Sequence, residues 1–142
     1  MTRADFYILD ETTAESKFTC TITNKVYQQG HSIYIDVPNH EIADKIENLL
    51  WTYHDISFIP HALADTDPSK IPVVIGWPGT EPVEFDVLIN LTDRIPESAA
   101  SFSRIIEIIP SESSARQHGR ERFKQYRGLG FELFSHDIGR KQ

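Results

Sequence analysis

Cysteine occurs once in this 142-residue chain, as Cys20. One thiol excludes an internal disulfide and any cysteine-rich zinc site, and it suits a reducing cytoplasm. Such a residue reads as a small core side chain rather than a nucleophile. No apolar run approaches the roughly 20 residues that span a bilayer. The start, Met1-Thr2-Arg3-Ala4-Asp5, lacks the basic and apolar pattern of a secretory leader. The expectation is a cytoplasmic protein with no membrane contact.

Glycine is missing where a nucleotide site would need it. The first apolar run is followed by Asp10-Glu11-Thr12-Thr13, two acids and no glycine, whereas a phosphate cradle needs close backbone approach and no neighbouring carboxylate. Gly76-Trp77-Pro78-Gly79 lacks the lysine and following helix of a P-loop. The six histidines form no i, i+4 zinc pair, and no Gly-x-Ser-x-Gly elbow occurs. No catalytic residue, cofactor or metal is therefore expected. One enzymatic alternative stands beside this reading, a small nucleotide-handling or hydrolytic α/β protein using His54, His61 and Asp55. Loop histidines of this kind are more simply solvated or turn partners.

Positive charge is in deficit too. Fourteen Lys and Arg face 21 Asp and Glu, a net −7, which argues against broad binding of nucleic acid. The cations are unevenly spread. Segment 112–128 holds Arg116, Arg120, Arg122, Lys124 and Arg127 against Glu112 and Glu121, so it carries +3 and leaves −10 elsewhere.

What the chain does have is an ordinary core composition, 39% hydrophobic and 11% aromatic, enough for one globular domain over 1–142. Residues 4–10 read as a strand apolar on both faces, hence an inner strand. Thr12 to Glu15 resembles a capping box before a helix with Phe18, Ile22 and Val26 on one stripe and Gly30 as its stop. Residues 31–37 predict a second strand, and Asn39 a cap for a helix over 40–52. Strand, helix, strand, helix points to an α/β, Rossmann-like sheet, mixed but mostly parallel, flanked by helices and without a nucleotide site. Residues 72–77 and 83–91 read as strands, joined as a hairpin by the Pro78–Pro82 turn cluster. Residues 97–102 suggest a short helical turn, 104–109 a strand, and 131–134 a terminal edge strand.

Two surfaces stand out. In the 40–52 helix, Ile42, Ile46, Leu49 and Leu50 form the core stripe, and Trp51 lies about 180° from Ile42. An outward Trp beside the apolar loop Ser57-Phe58-Ile59-Pro60 marks either an interface or a loop folded over the ring. In the basic helix, Arg116, Arg120, Phe123, Lys124 and Arg127 share one stripe about 100° wide. Ala115, Gly119 and Tyr126 face the sheet, with the Arg122 stem at the edge of that face, and Gln117, Glu121 and Gln125 are solvated. Cations around an aromatic suit an acidic peptide with an apolar end.

Asp5-Phe-Tyr-Ile-Leu-Asp10, Leu50-Trp51 with Ser57-Phe-Ile-Pro-His61, and Gly119-Arg-Glu-Arg-Phe-Lys-Gln-Tyr-Arg127 with Gly130-Phe131 together resemble the chi subunit of bacterial DNA polymerase III, in the same order along nearly the whole chain. The resemblance implies a non-catalytic accessory of the clamp-loader complex. It implies binding of the psi subunit through Trp51 and Phe58. It also implies binding of the acidic C-terminal tail of single-stranded DNA-binding protein through Arg116, Arg120, Phe123, Lys124 and Arg127, with Ile109 as apolar wall. A repair helicase enters as a competitor for the Trp51 surface, and no direct contact with nucleic acid is expected. Phe123 stands where many relatives have Tyr, and Arg116 where Lys also occurs, so tail contacts through a phenol are lost and cation geometry differs.

Overall fold

Short runs of Ile and Val bounded by turn residues fold here as strands buried on both sides. The computed structural model describes residues 2–52, 60–64, 71–80 and 85–139. In chain order its elements are β1 (Arg3–Leu9), α1 (Glu15–Gln28), β2 (Ile33–Asp36), α2 (His40–Thr52), β3 (His61–Leu63), β4 (Val73–Gly76) and β5 (Val87–Asn90). A single 3₁₀ turn (Ala99–Ser101), β6 (Arg104–Ile109), α3 (Ser113–Gly128) and β7 (Glu132–Ile138) complete it.

The strands make one sheet in the order β3-β4-β2-β5-β6-β1-β7, and every pairing among the described residues is parallel. The parallel character expected of the early strands thus runs through the whole sheet. Every residue of β2, β4 and β5 is buried, as a central parallel strand requires. Right-handed crossovers fix which face each helix covers. The steps from β1 to β2 and from β2 to β3 run one way, so α1 and α2 share a face. There Ile22, Val26, Ile46 and Leu50 pack on Tyr7, Ile33, Ile35 and Ile89. The step from β6 to β7 runs the other way, and α3 covers the opposite face, where Tyr126 and Phe123 join Phe6, Ile105 and Ile109.

Three local expectations are corrected. β4 and β5 are not a hairpin: β2 lies between them, Tyr34 pairing with Val74 on one side and Leu88 on the other. Two parallel strands with a third between them cannot be joined by a tight turn, and residues 81–84, the end of the predicted turn cluster and the start of the predicted 83–91 strand, lie outside the described residues. The Thr12 capping box does not form. Instead the Thr12 hydroxyl donates to Asp10 Oδ1 at 2.8 Å, and α1 begins at Glu15 with Ala14 as its N-cap. An Asx-type turn out-competed the cap. β7 runs to Ile138, beyond the predicted 131–134, because β1 offers partners along its whole length. Asn39 does cap α2, accepting from the Ile42 amide at 2.9 Å, and Gly30 takes φ +90° at the end of α1.

β7 is also held by side chains. Asp5 of β1, with no exposed surface, accepts from Arg3 Nε at 2.9 Å and Arg104 Nε at 2.8 Å, and lies 2.9 Å from His136 Nε2. Burial pushes this carboxyl up, but the bonds from Arg3, His136 and Arg104 outweigh it and hold it at about 2. The His136 ring stacks on Tyr7 at 4.6 Å.

Candidate functional site

Helical periodicity aims one face of α3 at the end of the sheet, and there a cleft of ≈310 Å³ opens. Its floor is apolar: Phe6 and Ile8, alternate residues of β1, and Ile109 at the end of β6. Phe123 meets Phe6 edge-to-face at 5.1 Å. The rim carries Arg116, Arg120, Lys124 and Arg127. The six residues expected to receive a tail therefore line a single cavity.

The cations differ in freedom. Arg116 donates from Nε to the Ser111 carbonyl and from Nη2 to the Leu9 carbonyl, each at 3.2 Å, which pins it between β1 and the start of α3. Arg127 lies over the Phe123 ring at 5.1 Å. Arg120 and Lys124 stand exposed. A fixed guanidinium beside exposed cations over an apolar floor can hold a carboxylate while an apolar side chain fills the cavity.

Phe6, Ile8, Gly119 and Ser135 also line the cleft and were not among the predicted residues. Gly119 had a legible signal, a glycine inside a helix. A Cβ there would come within 2.9 Å of Ile109 Cδ1, so the missing side chain lets α3 approach the floor.

Arg122, expected with its stem at the edge of the buried face, is instead almost fully buried, and its Nε donates to Glu107 Oε1 at 3.0 Å. Tyr126 and Asn90 donate to the other oxygen at 2.7 and 2.8 Å. Burial pushes the Glu107 carboxyl up, while Arg122, Tyr126 and Asn90 pull it down. This pair locks the rotation of α3 and removes one of the helix's five cations from the surface.

At the opposite sheet edge, Trp51 is 53% exposed at the end of α2, its ring 4.2 Å from that of His61. The cleft floor lies on β6 and β1, four and five strands from β3 in the sheet, so at about 4.8 Å per strand the Trp51 surface and the cleft lie roughly 20–25 Å apart. Phe58, His54 and Asp55 fall outside the described residues. His61 is not a loop residue: it starts β3 and is buried.

Where a nucleotide phosphate would lie after β1, Asp10 Oδ1 instead accepts from the Thr12 amide and from the hydroxyls of Thr12 and Thr13. Glu15 in the first turn of α1 is pushed up by burial and by Glu112. Among the described residues no group of three His, Cys, Asp or Glu is placed to hold a metal, and no helix is long and apolar enough to cross a membrane.

The family described as DNA polymerase III chi subunit, HolC, matches residues 1–134. The DNA polymerase III subunit chi of Pseudomonas aeruginosa is 32% identical over 142 residues, 99% of each chain. The Escherichia coli K12 subunit of that name is 33% identical over 141 residues, covering 94% of this chain and 96% of the relative. That of Haemophilus influenzae is 31% identical over 140 residues, covering 96% and 97%.

Proposed function

The chain belongs to the DNA polymerase III chi subunit family, and from that premise we propose that it is a non-catalytic adaptor within the clamp-loader complex. One surface, Trp51 with Phe58, holds the psi subunit. The cleft under α3 holds the acidic C-terminal tail of single-stranded DNA-binding protein. The observation that carries this reading is the cleft itself, an apolar floor of Phe6, Ile8 and Ile109 rimmed by Arg116, Arg120, Lys124 and Arg127. That combination selects a peptide with acidic residues and an apolar end. The separation of the two surfaces supports simultaneous occupancy, which would tether the loader to coated template and raise its local concentration. A repair helicase would then compete with psi for Trp51, not with the tail. The net −7 favours a protein partner over direct contact with nucleic acid, and the adaptor works in the cytoplasm.

Exposed ion pairs contribute only about 0–1 kcal/mol each, so tail binding is weak and salt-sensitive. Titration of a fluorescent acidic peptide ending in Pro-Phe tests the assignment. Arg120→Ala lowers its affinity roughly two- to fivefold with the fold intact. Equal affinity in that variant and the parent would end the reading.

A further inference from the structure

The edges of an open sheet carry unpaired backbone groups, and proteins blunt them with short strands, lysine, proline or bulges. β3, at one edge, is only three residues long. β7, at the other, has none of these guards. It runs for seven residues without Pro or Lys, and its register with β1 is unbroken from Arg3↔Glu132 to Leu9↔Ile138.

Two bonds fix which way each residue of β7 points. The Glu132 amide donates to the Thr2 carbonyl, and the Ile138 carbonyl accepts from the Asp10 amide. In a parallel pair one residue turns both its N–H and its C=O to a given neighbour, and the next residue turns both away. Glu132, Phe134, His136 and Ile138 therefore face β1. Leu133, Ser135 and Asp137 point N–H and C=O off the sheet, where among the described residues no strand meets them.

This free edge borders the cleft under α3. Ser135 is the register partner of Phe6, and both line the cavity. A peptide whose apolar end rests on Phe6 and Ile8 thus leaves the cleft past Ser135, alongside the outward backbone groups. Charge agrees on both faces. Arg120, Lys124 and Arg127 stand on the α3 side. On the other side Arg3, its side chain 45% exposed, lies over the Phe134 ring at 4.1 Å. An extended chain here turns alternate side chains to one cationic group and then the other. Glu132 and Asp137, towards the two ends of β7, centre an acidic stretch on Ser135.

We propose that the peptide held in the cleft also adds an eighth strand to the sheet, its acidic stretch pairing with the outward backbone of Leu133, Ser135 and Asp137. This rests on the reading of the cleft as the acidic-peptide site. The cavity selects the apolar end, while main-chain bonds along β7 add affinity without reading the side chains that precede it.

The full chain is titrated with the fluorescent acidic peptide ending in Pro-Phe, and with analogues N-methylated at one amide at a time upstream of the proline. An added strand turns its N–H groups alternately to β7 and to solvent. The expected result is a roughly threefold to tenfold loss at every second position and none between. Equal affinity throughout, or a loss that does not alternate, overturns the proposal. Ser135→Pro removes an outward donor but no bond to β1, and should weaken the unmodified peptide by a similar factor. Ser135→Ala keeps the edge and should bind as the parent does; equal affinity in both variants overturns the proposal. If Ser135→Pro does not fold, the N-methyl series on the parent decides. A second copy of the chain is the other occupant of such an edge: a dimer in sedimentation that Ser135→Pro abolishes, with peptide affinity unchanged, also overturns it. Failure of the unmodified peptide to bind the parent ends the reading of the cleft and this inference with it. Binding of that peptide and of every analogue alike ends this inference alone.

Discussion

Arg122 and Glu107 meet at 3.0 Å beneath the basic helix, their side chains 7% and 0% exposed. Two residues away on the same helix, Arg120 is exposed and lines the cleft. The two arginines therefore do opposite work, one inside the fold and one on its surface.

Stability should separate them. Arg122→Ala leaves Glu107 as an uncompensated buried charge and is expected to cost about 3–5 kcal/mol. Arg120→Ala should stay within about 0.5 kcal/mol of the parent. Urea unfolding of both variants checks this; comparable losses would mean that the buried pair does not anchor α3.

Gly119→Ala tests the cleft without touching a charge. An alanine gains about 1 kcal/mol of helix propensity, and its methyl must push the flexible end of Ile109, 2.9 Å away, into the cavity. These effects offset one another in stability, but the floor is narrowed. The expected outcome is a near-parental unfolding midpoint with at least threefold weaker binding of the acidic peptide; undiminished affinity would show that the floor is not used.

Trp51→Ala addresses the other edge. More than half of that side chain is already in solvent, so the fold should lose under about 1 kcal/mol. As an interface anchor, its loss should cost psi about 2 kcal/mol or more, roughly thirtyfold in affinity. Tail binding, across the sheet, should not change. Surface-immobilised psi and tail peptide read both in one experiment, and a parallel loss of the two would contradict independent surfaces.

Asp5 sets part of the acid limit. Its carboxyl is held at about 2, below the ordinary 3.8, by the hydrogen bonds from Arg3, His136 and Arg104 that outweigh its burial. A lowered folded value means stability that is complete above about pH 4 and is lost as pH falls towards 2. Asp5→Asn should remove about 2 kcal/mol at neutral pH and flatten the curve between pH 4 and 2. An acid limb of parental steepness in Asp5→Asn would refute the assignment.

Much of the cleft was legible because the information is local. A 3.6-residue repeat places Arg116, Arg120, Phe123, Lys124 and Arg127 on one face before any tertiary contact is known. Trp51 was legible for the same reason. What was missed depends on strand order, which periodicity does not carry. Phe6 and Ile8 enter the cleft because β1 lies beside β6. The hairpin reading failed because β2 inserts between β4 and β5, although the uniformly apolar Val73–Ile75 and Val87–Ile89 pattern fits interior strands better than a hairpin. The acid amid four isoleucines in β6 was a visible anomaly, but its partner sits 15 residues on, within α3. Thr12 misled because Asp10, two residues before it, offered a closer acceptor.

The parallel pairing of β1 also sets an order of events during synthesis. Arg3 pairs with Arg104 on one side and Glu132 on the other, so the first strand made waits for the last two. The cleft takes its floor from β1 and β6 and its rim from α3, and thus comes into being only when the chain is nearly finished. A nascent chain on the ribosome has no such cleft, and truncation after about residue 110 removes its rim together with the helix that covers one face of the sheet.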